Sequence, residues 1–578
     1  MTTQDPRAYR PAPGAGRPLT SAVSPWLRWL GEAVWFVEHA FERARADARP
    51  EEDTRVRIFL IRAVFVAIFG ALALGAAHAA LLAPAGGRGA AHVAGALQRA
   101  DLTDRNGALL ATNITHYGLY IDPAEVWDRD AAFRQIRSAL PRISATRLRR
   151  VLDGDRRLIA QPGLTPAERQ AIHALALGGV SFEPEDRRVY PLNTSAAHLI
   201  GSADTGGQGV SGVELAFNDP IRAAGANGEP FALSIDLRVQ GVLENELAAT
   251  ASEVGAKGAV GIIADARTGE ILGMASYPSY DANRRGQASD DAALNRVTSA
   301  HYEMGSVFKS FTIAIALDKG LADLDTPIDA SKPYMIGNRR IQDFHATNKI
   351  LSLEEVYLHS SNIGTSRLAV EMGADSMRSY FSKLGLLDAA PIELRESARP
   401  RRPRDWSDST RASMSFGYGI MITPLQMTAA TVALVNGGVY RPLSLRRGGA
   451  GAEGHRVISP ETSTAMRQLM RANVLRGSGG QANAAGLRVG GKTGSANKLV
   501  NGRYDASHGI GSFAAVFPAD GPADAQRYVI FVLIDEPSQG SRLGGAIAAP
   551  VVGRVADRIA GFLNIQRRDD PPAPVVVP

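Results

Sequence analysis

The 578 residues include no cysteine. Thiol nucleophiles, disulfides and cysteine-built metal sites are excluded together. The eleven histidines are scattered, with no H-E-x-x-H pair or cluster at ligand spacing, so neither a protein-built metal centre nor a cofactor is expected. Charge is sparse as well. Charged residues form 21% of the chain, and the net +6 is carried by arginines spread along its whole length. A dedicated nucleic-acid surface is therefore not expected.

What is present begins with an apolar run. From Ala63 to Ala83 only His78 is polar, which is long enough to cross a bilayer core of about 30 Å as a helix. Arg43, Arg45, Arg49, Arg55, Arg57 and Arg62 crowd its leading side and predict a cytoplasmic amino terminus. The tail before it is far longer than the leading region of a signal peptide, so the run reads as an uncleaved single-pass anchor despite Ala77-His78-Ala79. Expected segments are a cytoplasmic tail 1–57, the anchor 58–83, a non-catalytic region 84–230, a larger domain 231–565 and a disordered tail 566–578. Within the first tail, a helix over 25–43, capped by Ser24 and rich in tryptophan, could lie on the inner membrane surface or pack on a partner helix.

The non-catalytic region mixes strand candidates such as Gly118–Ile121 with arginine-rich helical stretches such as Ala131–Leu152. Its Gly206-Gly207-Gln208-Gly209 cluster reads as an ordinary loop. Beyond residue 231, strand-like runs at Gly258–Asp265, Glu270–Ala275, Gly509–Phe517 and Tyr528–Ile534 alternate with long apolar helices. The pattern predicts an α+β fold with an antiparallel sheet and flanking helices.

Three short strings bear chemistry. In Gly305-Ser306-Val307-Phe308-Lys309, the i, i+3 spacing puts Ser306 and Lys309 on one helical face, and the apolar run Phe311 to Leu317 predicts that this helix is buried. Burial disfavours an ammonium, so a neutral Lys309 could accept the Ser306 proton, while the helix start offers a free N–H to an oxyanion. Alone, S-x-x-K arises by chance about once or twice in a chain this long, and a surface pair is the plain alternative. Ser360-Ser361-Asn362 follows a helix opened by the capping box Ser352 and Glu355. A serine and an amide two apart can face one cleft, although by itself the string is a common helix cap. In Lys492-Thr493-Gly494-Ser495, the lysine and threonine could fix a carboxylate, and Gly494 could admit a reacting chain close to the strand backbone.

The same segment poses a rival, because Gly486 to Thr493 satisfies G-x-x-x-x-G-K-T. A phosphate loop opens a helix, whereas Asn501-Gly502 here predicts a hairpin and a further strand.

Taken in order, the three strings resemble the penicillin-binding protein and serine β-lactamase superfamily. Arg188-Val189-Tyr190-Pro191, Ala197 to Gly201, Gly212-Val213-Glu214, and Ser415 to Gly419 with Thr423-Pro424-Leu425-Gln426 resemble class B penicillin-binding proteins, over residues from about 100 to 562. The stretch from Ser415 to Gln426 resembles the division-specific type more than the elongation type. The resemblance implies a transpeptidase domain on a pedestal, and peptidoglycan crosslinking through a Ser306 acyl-enzyme with release of terminal D-alanine. It implies Lys309 as base, Ser360 as proton relay, Asn362 and Gly494 lining the peptide site, and Lys492 and Thr493 on the substrate carboxylate. Backbone N–H groups of Ser306 and Ser495 would form the oxyanion hole. Phe308 and Ser495 depart locally from the family pattern. Implied partners are stem peptides, β-lactams as inhibitors, a membrane glycan polymerase and other division proteins, at the septal inner membrane with the catalytic domain in the periplasm. A carboxypeptidase, an elongation-type enzyme and a silent division scaffold are the alternatives.

Overall fold

The computed structural model describes residues 61–73, 99–449 and 453–568. Residues 61–73 are helical, and Val64, Phe65, Val66, Phe69 and Leu72 are exposed. Among the described residues no helix is long and apolar enough to cross a membrane. The rest of the expected anchor, the tail 1–57 with its helix 25–43, and residues 569–578 lie outside the described residues.

The first half of the remaining chain is built on a long strand β1 (Leu109–Ile121), paired antiparallel with β2 (Leu158–Leu164) and β3 (Val180–Val189). The helix expected over Ala131–Leu152 forms as two, α1 (Arg129–Ala139) and α2 (Ala145–Leu152). Pro141, which has no N–H to donate, falls in the break between them, and Ser144 caps the second. Leu119, Ile121, Ile136, Leu148 and Ile172 close a small core of their own under this outer lobe. Nearer the second half, Leu102, Leu110, Tyr190, Leu199 and Val213 belong to the core that also holds Phe311, Val356 and Leu425.

The second half is organised by a five-stranded sheet. Its strands are β4 (Ala256–Asp265), β5 (Ile271–Tyr277), β6 (Gly490–Val500), β7 (Arg503–Phe517) and β8 (Tyr528–Pro537), in the spatial order β6-β7-β8-β4-β5 with every pairing antiparallel. The central strands are covered on both faces, so they read as continuous apolar runs. In β8, Ile530, Val532 and Ile534 pack with α3 (Leu237–Glu253), while Val529, Phe531 and Leu533 face the opposite layer. That layer contains α4 (Lys309–Asp318), α5 (Leu353–Leu358), α6 (Asn362–Met372) and α7 (Pro424–Val435). Every residue of α7 and the first eight of α4 are buried, as expected of helices apolar all round. A last helix, α8 (Ala549–Ile559), joins α3 on the other face.

The Asn501-Gly502 hairpin forms as expected: both residues have positive φ, and Val500 pairs with Arg503. Since residues 490–500 are strand and lead into this turn, the phosphate-loop match has no helix to open and no anion cradle.

Candidate active site

Ser306 lies in a single 3-10 turn, Gly305–Phe308, whose end becomes α4 at Lys309. Gly305 has φ +60°, and any Cβ there would overlap the backbone of Ser495 in β6. Gly417, at φ +85°, is pressed in the same way against the backbone of Gly305. Two glycines thus let three backbones stack, and this contact seats the Ser306 turn on the sheet edge. Phe308 is buried edge-on against Phe311 and Phe381, with ring centroids 5.2 and 5.5 Å away, so this departure from the family pattern fills core space.

Lys309 is fully buried. Its Nζ donates to the Ser360 carbonyl and to Ser360 Oγ at 3.1 Å, and among the described residues no hydrogen bond joins it to Ser306. Burial, reinforced by the like charge of Lys492 and opposed by Asp343, holds its pKa well below the ordinary lysine value. A neutral amine one turn from a half-buried serine hydroxyl is equipped to take its proton.

The second string is held from a distance. Ser360 has φ +56°, a left-handed conformation that costs a non-glycine residue about 1–3 kcal/mol. The Lys309 bonds and the capping of α6 keep it there. Ser361 accepts from Gly364 N at 3.0 Å and donates to Asp343 Oδ2 at 2.7 Å, Ile363 N donates to Asp343 Oδ1 at 2.9 Å, and Asn362 Nδ2 donates to the Gln342 carbonyl at 3.0 Å. The expected capping box of Ser352 and Glu355 opens α5.

The third string lies along β6. Lys492 is fully buried with its Nζ 5.6 Å from the Tyr357 ring centroid and 3.4 Å from Thr493 Oγ1, and burial lowers its pKa to about 7. Thr493 Oγ1 and Ser478 Oγ are 2.8 Å apart, and Ser495 Oγ accepts from Gly544 N at 3.0 Å. The space a Cβ would need at Gly494 is filled by Met304, Val307 and Ser512, so its missing side chain lets the Ser306 turn pack close on β6.

Ser306, Ser360, Asn362, Thr493 and Ser495 open together into a cleft of about 430 Å³. The lysines lie buried nearby, each hydrogen-bonded to a hydroxyl that lines it. Residues 259–557 match the family described as the penicillin binding protein transpeptidase domain, and residues 96–224 the penicillin-binding protein dimerisation domain. The chain belongs to the penicillin-binding protein transpeptidase family. Among its relatives, a probable peptidoglycan D,D-transpeptidase FtsI of Caulobacter vibrioides is 51% identical over 562 residues, 95% of each chain. A probable peptidoglycan D,D-transpeptidase PenA of Neisseria meningitidis is 33% identical, and the peptidoglycan D,D-transpeptidase FtsI of Escherichia coli 31% identical, each covering 81% of this chain and 84% of the relative.

Sequence reasoning missed several groups that shape this penicillin-binding protein's cleft. Asp343 and Tyr357 support the second and third strings, and Ser478 and Gly544 hold the strand side. Glu303, three residues before the serine, accepts from Gly419 N at 2.6 Å and from Tyr504 OH at 3.0 Å, while Tyr418 OH accepts from Asn497 N at 3.2 Å. These bonds tie the Ser306 turn to the hairpin that ends β6. Burial raises the Glu303 pKa, opposed by the two bonds it accepts.

Proposed function

We propose that this chain is a septal peptidoglycan D,D-transpeptidase of cell division, a penicillin target, acting through a Ser306 acyl-enzyme. The observation that carries the reading is the burial of Lys309 without a carboxylate in contact, beside the cleft where the three strings meet. Ser306 Oγ loses its proton to Lys309, directly or through Ser360, and adds to the penultimate carbonyl of a D-Ala-D-Ala stem. The developing oxyanion is held by the Ser306 and Ser495 N–H groups. The C–N bond breaks, the proton on Lys309 passes to the leaving D-alanine amine, and an amine of a second stem then takes the acyl group from Ser306. Asn362 holds the donor peptide, and Lys492 with Thr493 engages its terminal carboxylate.

In this reading residues 58–83 anchor the chain in the inner membrane, 84–230 form the pedestal and 231–565 the periplasmic catalytic domain. The apolar surface of residues 61–73, bare of any partner among the described residues, supports the anchor, because such a surface is costly in water. The partners are stem peptides, a glycan polymerase and other division proteins, as the family likeness implies.

Mass spectrometry of the protein after penicillin treatment tests the nucleophile. One adduct on Ser306, absent from Ser306→Ala, is expected, and an adduct on another residue sinks the assignment. Supplying a stem-peptide donor together with an amine tests transfer, and hydrolysis alone despite abundant amine would make the chain a carboxypeptidase instead.

A further inference from the structure

Transpeptidation needs two substrates, and the cleft offers two kinds of wall. One is strand β6, an edge strand of the sheet, which contributes Thr493, Ser495 and Asn497. An extended donor peptide can pair with such an edge. The other consists of Phe344, His345, His359, Ser360 and Asn362. The Ser306 turn lies between them, since Gly305 packs on Ser495 while Lys309 bonds Ser360.

The second wall is built to stay in place. Asp343 and Gln342 receive three hydrogen bonds, at 2.7, 2.9 and 3.0 Å, from Ser361, Ile363 and Asn362, so the loop that carries Phe344 and His345 is fastened to the loop that carries Ser360. Phe344 is nevertheless 78% exposed, its ring edge-on to His345 at 4.8 Å. Neither imidazole has a hydrogen-bond partner among the described residues. A large apolar ring held in the open by a rigid loop, with two unpaired imidazoles in the same wall, is a surface made for a ligand.

From this arrangement, and resting on the transpeptidase reading, we propose that Phe344, His345 and His359 form the subsite for the acceptor, a primary alkyl amine carried on a stem peptide. The acceptor nitrogen must arrive where the departing amine left, and its chain needs a surface the donor does not occupy. Phe344 and the imidazole faces cover the alkyl chain, and an imidazole nitrogen accepts a hydrogen bond from the amine. The amine nitrogen then bonds to the acyl carbon as the bond to Ser306 Oγ breaks, and the proton the nitrogen gives up is returned to Ser306.

The test uses the full-length protein in detergent, a thioester stem-peptide mimic as donor and Nα-acetyl-lysine amide as acceptor. The readouts are the ratio of aminolysis to hydrolysis and, separately, the rate of penicillin acylation. In the His345→Ala/His359→Ala variant the ratio is expected to fall about tenfold, the weight of one hydrogen bond, and by more than any change in acylation rate. Phe344→Ala should raise the acceptor concentration needed for half-maximal aminolysis. A ratio unchanged in both variants overturns the subsite. So does an acylation rate that falls as far as the ratio, which would place the wall on the donor side. Failure of wild-type Ser306 to take a penicillin adduct overturns the transpeptidase reading itself, and the subsite with it.

Discussion

Two clusters of buried charge stand in contrast. Within the dimerisation-domain match, Glu214 is fully buried between Arg99, whose Nε lies 3.0 Å away, and Arg188, whose Nε lies 2.7 Å away, and Arg99 also donates to the Gly207 carbonyl at 2.8 Å and Asn218 Oδ1 at 2.7 Å. In the catalytic half, Lys309 and Lys492 are equally buried, yet their bonds go to neutral oxygens. In the first cluster two guanidiniums share one carboxylate, and Arg99 is joined to residues more than a hundred positions away. The second leaves ammonium groups uncompensated, so they tend to neutrality, which suits a base and a group poised to titrate near neutral pH. A shared carboxylate holds the two arginines charged in a structural joint, whereas the two lysines beside the cleft have none among the described residues.

That contrast breaks if the lysines prove structural or the arginines functional. The largest effect is expected for Lys309→Met, whose penicillin acylation rate should fall by about 10²–10⁴-fold with thermal stability kept or raised. A stability loss with normal acylation would reverse the assignment. Next, Glu214→Ala strands two buried guanidiniums and should cost about 3–5 kcal/mol in denaturant unfolding, while folded protein still acylates. The third prediction sharpens the lysine side. Lys492 titrates at about 7 in the folded protein against an ordinary 10.5, so between these values the unfolded chain binds more protons. Stability should therefore rise with pH across that window, and Lys492→Met should be more stable near neutrality and show a shallower rise, the remainder coming from Lys309. A flat wild-type profile would deny the depressed value. Tyr504→Phe removes one bond to Glu303 and should cost about 0.5–1.5 kcal/mol, read by thermal denaturation. Smallest of all, Arg157→Ala breaks an exposed pair with Glu183 at 2.7 Å and should stay within about 1 kcal/mol of wild type in the same assay.

The three strings were legible because each is short, and its spacing alone brings Ser306 to Lys309, or Ser360 to Asn362, on one side of a turn. The strands β4, β5, β7 and β8 were legible from their apolar runs, and the hairpin from Asn501-Gly502. Asp343, Tyr357, Glu303 and Ser478 were not. Each acts on residues in another element, and nothing in its immediate neighbours marks it as special. Gly494 was legible as room beside the strand, but that the Ser306 turn packs into that room was not, because local sequence does not say which surface comes close. Nor does the i, i+3 spacing of Ser306 and Lys309 reveal that the lysine bonds Ser360, because its head meets a loop some fifty residues on.

Local sequence determined the reactive groups of this protein, the buried character of α4 and α7, and the hairpin, since periodicity, capping and turn chemistry act over a few residues. Tertiary structure alone decided that Gly417, Gly305 and Ser495 stack, that two lysines lose water together, and that Asp343 fastens a second wall to the cleft. Proton affinity and cleft shape depend on what excludes solvent around a group, and that is settled by contacts between residues far apart in the chain.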